Sequence, residues 1–215
     1  TKNPVEGDYI RYQYGGYEVN SSYEKQNELY YFTVEILPVY YTTLEEEAEV
    51  DTYVKAIIEG FALDYHATDY DKVKAVYDYV YEHVDYDIVH KNKNNNHKKC
   101  TAYSALRLHE AVCQGYSVLV YRLLKELGVD VRIVTGTGYF EELAESHAWN
   151  IVCIDGQYYN LDVTWDKALE THDYFLKGED SFADHELDAQ FLTDSFTVRY
   201  PMSGNDYLPT ENKMQ

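Results

Sequence analysis

The sequence predicts an α+β fold in which a helix headed by Cys113 packs against an antiparallel sheet. Three observations carry that reading. After Cys113, the residues Val118, Leu119, Leu123, Leu124 and Leu127 recur at helical spacing and the pattern stops at Gly128. Two strand-like runs, 146–154 and 157–164, flank Asp155-Gly156, a strong two-residue hairpin signal. Val131, Ile133 and Val134 supply a further strand between the helix and the hairpin.

The other elements follow from the same rules. Residues 8–19 and 28–40 are rich in tyrosine and β-branched side chains and are separated by Asn20, Ser21 and Ser22, so they read as two strands, a hairpin or an independent flank. Residues 43–60 switch to helical character, with Thr43 as cap, Glu46 three residues later, and Leu44, Val54, Ile57, Ile58 and Phe61 as the apolar stripe. A second helix is expected over 69–86, where Val73, Val76, Val80 and Val84 recur. The polar run HKNKNNNHKKC at 90–100 reads as an exposed loop, and 102–110 as a short helix. From Glu179 onward, strand-like and polar pieces alternate without a readable path. These elements divide the chain into an N-terminal extension over 1–66, either separate or part of the same domain, and a domain over 67–215.

Composition narrows the function classes. The 215 residues are 45% hydrophobic, enough for a substantial core. A net charge of -20, from 38 acidic against 18 basic side chains, opposes binding to nucleic-acid phosphates or an anionic membrane surface. The 25 tyrosines suit half-wet packing surfaces or recognition of a peptide or glycan. Three cysteines make no disulfide framework, and an odd count leaves at least one thiol unless the chain pairs with another. No stretch reads as a signal peptide or membrane span; a chain beginning at Thr1 reads as a processed or trimmed product whose leader is missing.

Cofactor motifs are equally sparse. There is no Gly-rich phosphate loop, CxxC, HExxH or EF-hand loop. The histidines of 90–100 with Cys100, and His109 four residues before Cys113, raise a metal site. A compact second ligand pair is lacking and the flanking lysines oppose a cation, so neither metal nor cofactor is expected.

One constellation does carry chemistry. Cys113, within AVCQGYS, stands where a helix presents unpaired N–H groups and its positive end, which favours thiolate over thiol. A small buried cysteine would also fit that position. If Asp155 and Gly156 form the turn, 154 faces 157, Trp149 faces Asp162 and His147 faces Thr164. Period-two alternation then puts His147, Trp149 and Asp162 on one side, and a diagonal of roughly 5.5–8 Å lets the Asp162 carboxylate reach the His147 ring. Cys153 lies on the same side but about 20 Å from His147, which makes it a packing residue.

The segments AVCQGYS at 111–117, SHAWNIVCIDGQYYNLDVTWD at 146–166 and YFLKG at 174–178 resemble bacterial members of the transglutaminase-like superfamily, whose core is related to papain-type cysteine enzymes. The resemblance covers about 70–178. It implies a triad of nucleophile Cys113, His147 and Asp162, with Gln114, Gly115, Trp149, Asn150, Thr164 and Trp165 as supporting positions. Tyr103, in the approach to the nucleophile, is a candidate oxyanion donor, with packing as its other reading.

The implied function is amide or peptide hydrolysis through a thioester on Cys113. Transfer to an amine, as in a protein-glutamine acyltransferase, and a noncatalytic protein- or glycan-binding module are the alternatives. The resemblance further implies a peptide or protein substrate, cell-wall peptides included, and a secreted or cell-surface location. Some transglutaminase relatives use calcium, but dispersed acidic residues define no site for it here.

Overall fold

A computed structural model describes residues 4–87 and 97–209. The chain opens with helix α1 (Pro4–Gln13), followed by strands β1 (Tyr14–Gln26) and β2 (Leu29–Tyr40), which form an antiparallel ribbon. Residues 8–13, expected in a strand, belong to α1. The reason is tertiary: Asp8 of that helix is buried against the Arg132 guanidinium at 2.8 Å and against the backbone N–H of Ile133 at 3.2 Å. The Asn20-Ser21-Ser22 run does not separate the strands. It lies within β1, paired with Glu35, Val34 and Thr33, and the turn falls at Asn27 and Glu28, both with positive φ.

Helix α2 (Leu44–Gly60) starts at the expected Thr43–Glu46 capping box, and α3 (Asp69–His83) starts at a second one formed by Thr68 and Asp71. α3 ends earlier than the apolar spacing suggests because Asp85–Tyr86 become β3, paired in parallel with β4 (Glu110–Ala111). Between these strands lie a 3₁₀ turn at His97–Cys100 and helix α4 (Ala102–Arg107). Of the exposed loop expected over 90–100, 90–96 lie outside the described residues, and 97–100 form this 3₁₀ turn with Lys99 buried against Asp87 and Glu110.

Helix α5 (Cys113–Glu126) is followed by Gly128 at φ 77°, a left-handed geometry at the glycine where the apolar pattern stops. Strands β5 (Val131–Phe140), β6 (Leu143–Ile154) and β7 (Gln157–Leu161) follow as an antiparallel meander. Helix α6 (Val163–Leu169), strand β8 (His185–Leu187) and helix α7 (Asp194–Arg199) complete the chain. The sheet order is β7-β6-β5-β8.

Period-two alternation gives this sheet two apolar faces. Val131, Ile133, Val152 and Ile154 join the main core with α2, α3 and α5 residues such as Val54, Val76, Leu119 and Leu123. Val134, Trp149 and Ile151 face the opposite way and pack with Phe182, Phe191 and Tyr200 of the C-terminal segment. The tail therefore covers the second face of the sheet.

Candidate active site

The site forms where the start of α5, the middle of β6 and the start of α6 converge. Ile154 pairs with Gln157 and Asn150 with Leu161, the register implied by an Asp155-Gly156 turn. The ladder stops at Leu161, so His147 does not pair with Thr164 as a continuous strand would require. Asp162 instead caps α6: its Oδ1 accepts the backbone N–H groups of Thr164 at 3.0 Å and Trp165 at 3.2 Å. Capping leaves Oδ2 free to meet His147 Nε2 at 2.6 Å.

The pair is removed from water, with His147 7% and Asp162 1% exposed. Burial alone would lower the His147 pKa, but the Asp162 carboxylate and a hydrogen bond with Cys113 hold it well above its ordinary value. Burial would likewise raise that of Asp162, which the charges and hydrogen bonds of His147 and His185 hold far below the usual carboxylate range. Since Nε2 is taken by Asp162, the other ring nitrogen of His147 is the one left for Cys113, which lines the same cleft.

Half-buried Cys113 opens α5 and lines a cleft of about 180 Å³ with Tyr86, Phe140, Leu143, Glu145, His147 and Trp165. Val112 gives the helix no side-chain cap, so the first-turn N–H groups beside the thiol lack that partner. Gly115 permits the helix to lie close to the preceding turn: a Cβ there would come within 2.5 Å of the Lys99 carbonyl oxygen.

The remaining expected positions stand differently relative to Cys113, His147 and Asp162. Trp149 stacks on His147 at 5.9 Å and donates Nε1–H to Asn160 at 3.0 Å. Asn150 donates to the Ser117 carbonyl at 3.0 Å, tying β6 to α5. Thr164 and Trp165 line the cleft, the indole 5.6 Å from the His147 ring. Gln114 points elsewhere, donating to the Tyr12 carbonyl of α1 and so joining the N-terminal helix to α5. Tyr103 packs against the main core beneath Lys98, 5.8 Å from its ring, while Tyr86 is the upstream tyrosine on the cleft wall.

All three cysteines are free thiols. Burial, with the Cys113 sulfur adding to it, pushes Cys100 up to about 11. Cys153 packs against the second core, as expected from its strand position. His97 stacks on Tyr41 and His109 bonds the His83 carbonyl, so these two do not converge on a ligand. His90 lies outside the described residues.

Among the described residues, potential ligand atoms converge at His147, Asp162 and His185, within 4.8 Å of one another. Sequence reasoning missed His185. Its signal was indirect: the glycines of Gly136-Thr137-Gly138 lie two apart on one face of a strand, where they admit a close neighbour. Tyr86 was missed because it lay inside an expected helix.

Comparisons with known proteins agree with this architecture. Residues 60–163 match the family described as the transglutaminase-like superfamily. Human kyphoscoliosis peptidase is 28% identical over 175 residues, covering 75% of this chain and 25% of that protein. The mouse kyphoscoliosis peptidase is 30% identical over 142 residues, or 60% and 21% of the two chains. The chain thus spans a quarter or less of the length of these relatives. A crystal structure of a TGase superposes with a TM-score of 0.50 at 22% identity, over 69% of this chain and 45% of that one, a likeness of fold. No described helix is long and apolar enough to cross a membrane. The mixed helix and antiparallel-sheet architecture and the family match agree: residues 60–163 match the core of the transglutaminase-like superfamily.

Proposed function

We propose that the protein is a cysteine-dependent amide or peptide hydrolase working through Cys113, His147 and Asp162. The observation that carries this reading is the buried 2.6 Å His147–Asp162 bond beside a half-buried thiol in an open cleft. A structural cysteine needs neither a histidine partner nor a carboxylate aligned behind that histidine. The word peptidase in the names of the human and mouse relatives points the same way.

The chemistry follows from the geometry. The Cys113 thiolate attacks a peptide or protein carbonyl, forming a C–S bond and an oxyanion. Backbone N–H groups at the uncapped start of α5 are the proposed donors to that oxyanion, with the hydroxyl of Tyr86, which lines the same cleft, as a second proposed donor. Burial raises the Tyr86 pKa far above neutral, so this hydroxyl keeps its proton. His147, protonated and aligned by Asp162, gives a proton to the leaving nitrogen as the C–N bond breaks. Water then attacks the thioester with His147 as base, releasing the acid and restoring the thiol.

Acyl transfer to an amine is the second reading, favoured by the apolar wall of Phe140, Leu143 and Trp165, which slows water more than an amine carried on an alkyl chain. Incubation with a glutamine-containing peptide and a primary amine, read by intact mass, separates the two. Cleavage or a deamidation shift supports hydrolysis; an amine adduct supports transfer. Labelling of all three thiols at one slow rate, unchanged in His147→Ala, would sink the catalytic reading.

A further inference from the structure

The C-terminal segment delivers a second histidine to the triad. The His185 side chain is fully buried, with Nε2 3.1 Å from Asp162 Oδ2, the oxygen that also meets His147. Its Nδ1 lies 2.8 Å from Asp184 Oδ1, and Asp184 in turn accepts the Tyr174 hydroxyl at 2.7 Å. The ring stacks on Phe182 at 4.0 Å and sits 4.3 Å from Trp165, so its orientation is fixed by packing as well as by hydrogen bonds.

The fold makes room for this residue. Gly136 and Gly138 of β5 pair with Leu187 and His185 of β8. A Cβ on Gly136 would stand 1.9 Å from the Glu186 carbonyl oxygen, and one on Gly138 would stand 2.7 Å from the Trp165 ring. Two glycines on one strand face thus permit β8 and Trp165 to close over the triad.

We infer that His185 is a positioning residue, which donates from Nε2 to Asp162 Oδ2 and thereby fixes the carboxylate toward His147 while drawing off part of its charge. This rests on the triad reading above. An ionised carboxylate has about four acceptor positions, and Asp162 meets four partners: His147, His185 and the N–H groups of Thr164 and Trp165. A carboxylate so held has no freedom to turn from His147. The second donor on Oδ2 also weakens the attraction between that oxygen and the His147 proton. His147 then stays aligned yet releases its proton to the leaving nitrogen more readily. The charged and titratable groups around this array are Cys113, Tyr86 and Glu145 on the cleft side of His147, Asp184 and Tyr174 behind His185, and the buried Asp166 carboxylate of α6, which acts on Asp162.

The test is the pH profile of Cys113 alkylation by iodoacetamide, which needs no identified substrate. Fast labelling of Cys113 in the natural protein, lost in His147→Ala, supports the triad; without it both readings fall. With it, His185→Phe is expected to move the upper inflection, where His147 loses its proton, upward by about one pH unit, because Asp162 then acts on His147 undiluted. His185→Gln, whose amide can donate to Asp162, is expected to return the inflection toward the natural value. An unmoved inflection in His185→Phe, or one equal loss of rate at every pH in both variants, overturns the inference. Should His185→Phe fail to fold, ¹⁵N NMR of the natural protein decides. A proton on His185 Nε2 throughout the His147 titration supports the inference, and a bare Nε2 overturns it.

Discussion

Asp162 binds His147 through one carboxylate oxygen while its other oxygen caps helix α6, so one side chain both starts a helix and aims an imidazole. The cap holds one side of that aim, as His185 does the other. A carboxylate on a continuous strand would rotate about its terminal torsion, whereas here two backbone N–H groups hold Oδ1 and leave Oδ2 a single direction.

Asp162→Asn tests this arrangement. The amide keeps the size of the side chain and one carbonyl oxygen, but that oxygen cannot serve the helix N–H groups and His147 together. If the oxygen stays on α6, an NH₂ group faces His147 Nε2 and selects the wrong tautomer. Hydrolysis or transfer by Cys113 is expected to fall by a factor of about 10²–10⁴, as for other triads losing the orienting acid. Circular dichroism would show the fold retained; undiminished turnover would refute the assigned role.

The same pair makes stability depend on pH, with a different sign for each member. His147 has a folded-state pKa above its ordinary 6.5, so its contribution is complete below 6.5 and is lost as pH rises through the folded value. Asp162 has one below its ordinary 3.8, so its contribution is complete above 3.8 and is lost as pH falls through the folded value. The two overlap fully between 3.8 and 6.5. Urea unfolding of the natural protein and His147→Ala across pH should show the largest stability difference in that window, narrowing on the alkaline side. A difference that grows as pH rises above 6.5 would contradict the assignment.

The His147–Asp162 pairing was legible in sequence because the two residues lie 15 residues apart across a turn whose type is written in Asp155-Gly156. The register counted from that dipeptide agrees with Ile154 facing Gln157. The cap was not legible, since Asp162-Val163-Thr164 continues an alternating pattern and only packing of Val163 into the core selects helix over strand. His185 escaped for another reason: β8 has three residues, too few for any periodicity, and its place depends on the distant glycines of β5. Tyrosine and β-branched residues signalled the N-terminal ribbon, but composition could not distinguish the end of α1 from the start of β1.

The cleft wall offers a prediction about substrate. Phe140 and Leu143 are half exposed or more at the end of the β5–β6 hairpin, yet they border the same cleft as Cys113 and Trp165. A substrate with an apolar side chain near the attacked carbonyl would bury them on binding, worth roughly 1–3 kcal/mol for one side chain. Leu143→Asp adds a charge beside Glu145 and removes that gain. KM for an apolar peptide is expected to rise about tenfold or more with kcat little changed, the pattern of lost ground-state binding. An equal fall in kcat with KM unchanged would mean that Leu143 acts on the chemistry instead.

Gly136→Ala and Gly138→Ala separate closure of the tail from closure over the triad. At Gly136 the added methyl meets the backbone of β8, which can yield only by moving the strand. At Gly138 it meets the Trp165 indole, the same ring that lines the cleft and touches His147. Overpacking of this kind costs about 1–3 kcal/mol. Gly136→Ala should therefore speed hydrogen exchange in 185–187 and in the Phe182–Tyr200 segment while leaving α5 protected. Gly138→Ala should instead shift Trp165 fluorescence and slow Cys113 alkylation with the tail still protected. The distinction is physical, because one glycine accommodates backbone and the other a side chain. Exchange confined to the tail in both variants would show that Trp165 relaxes freely and that Gly138 does not set the cleft.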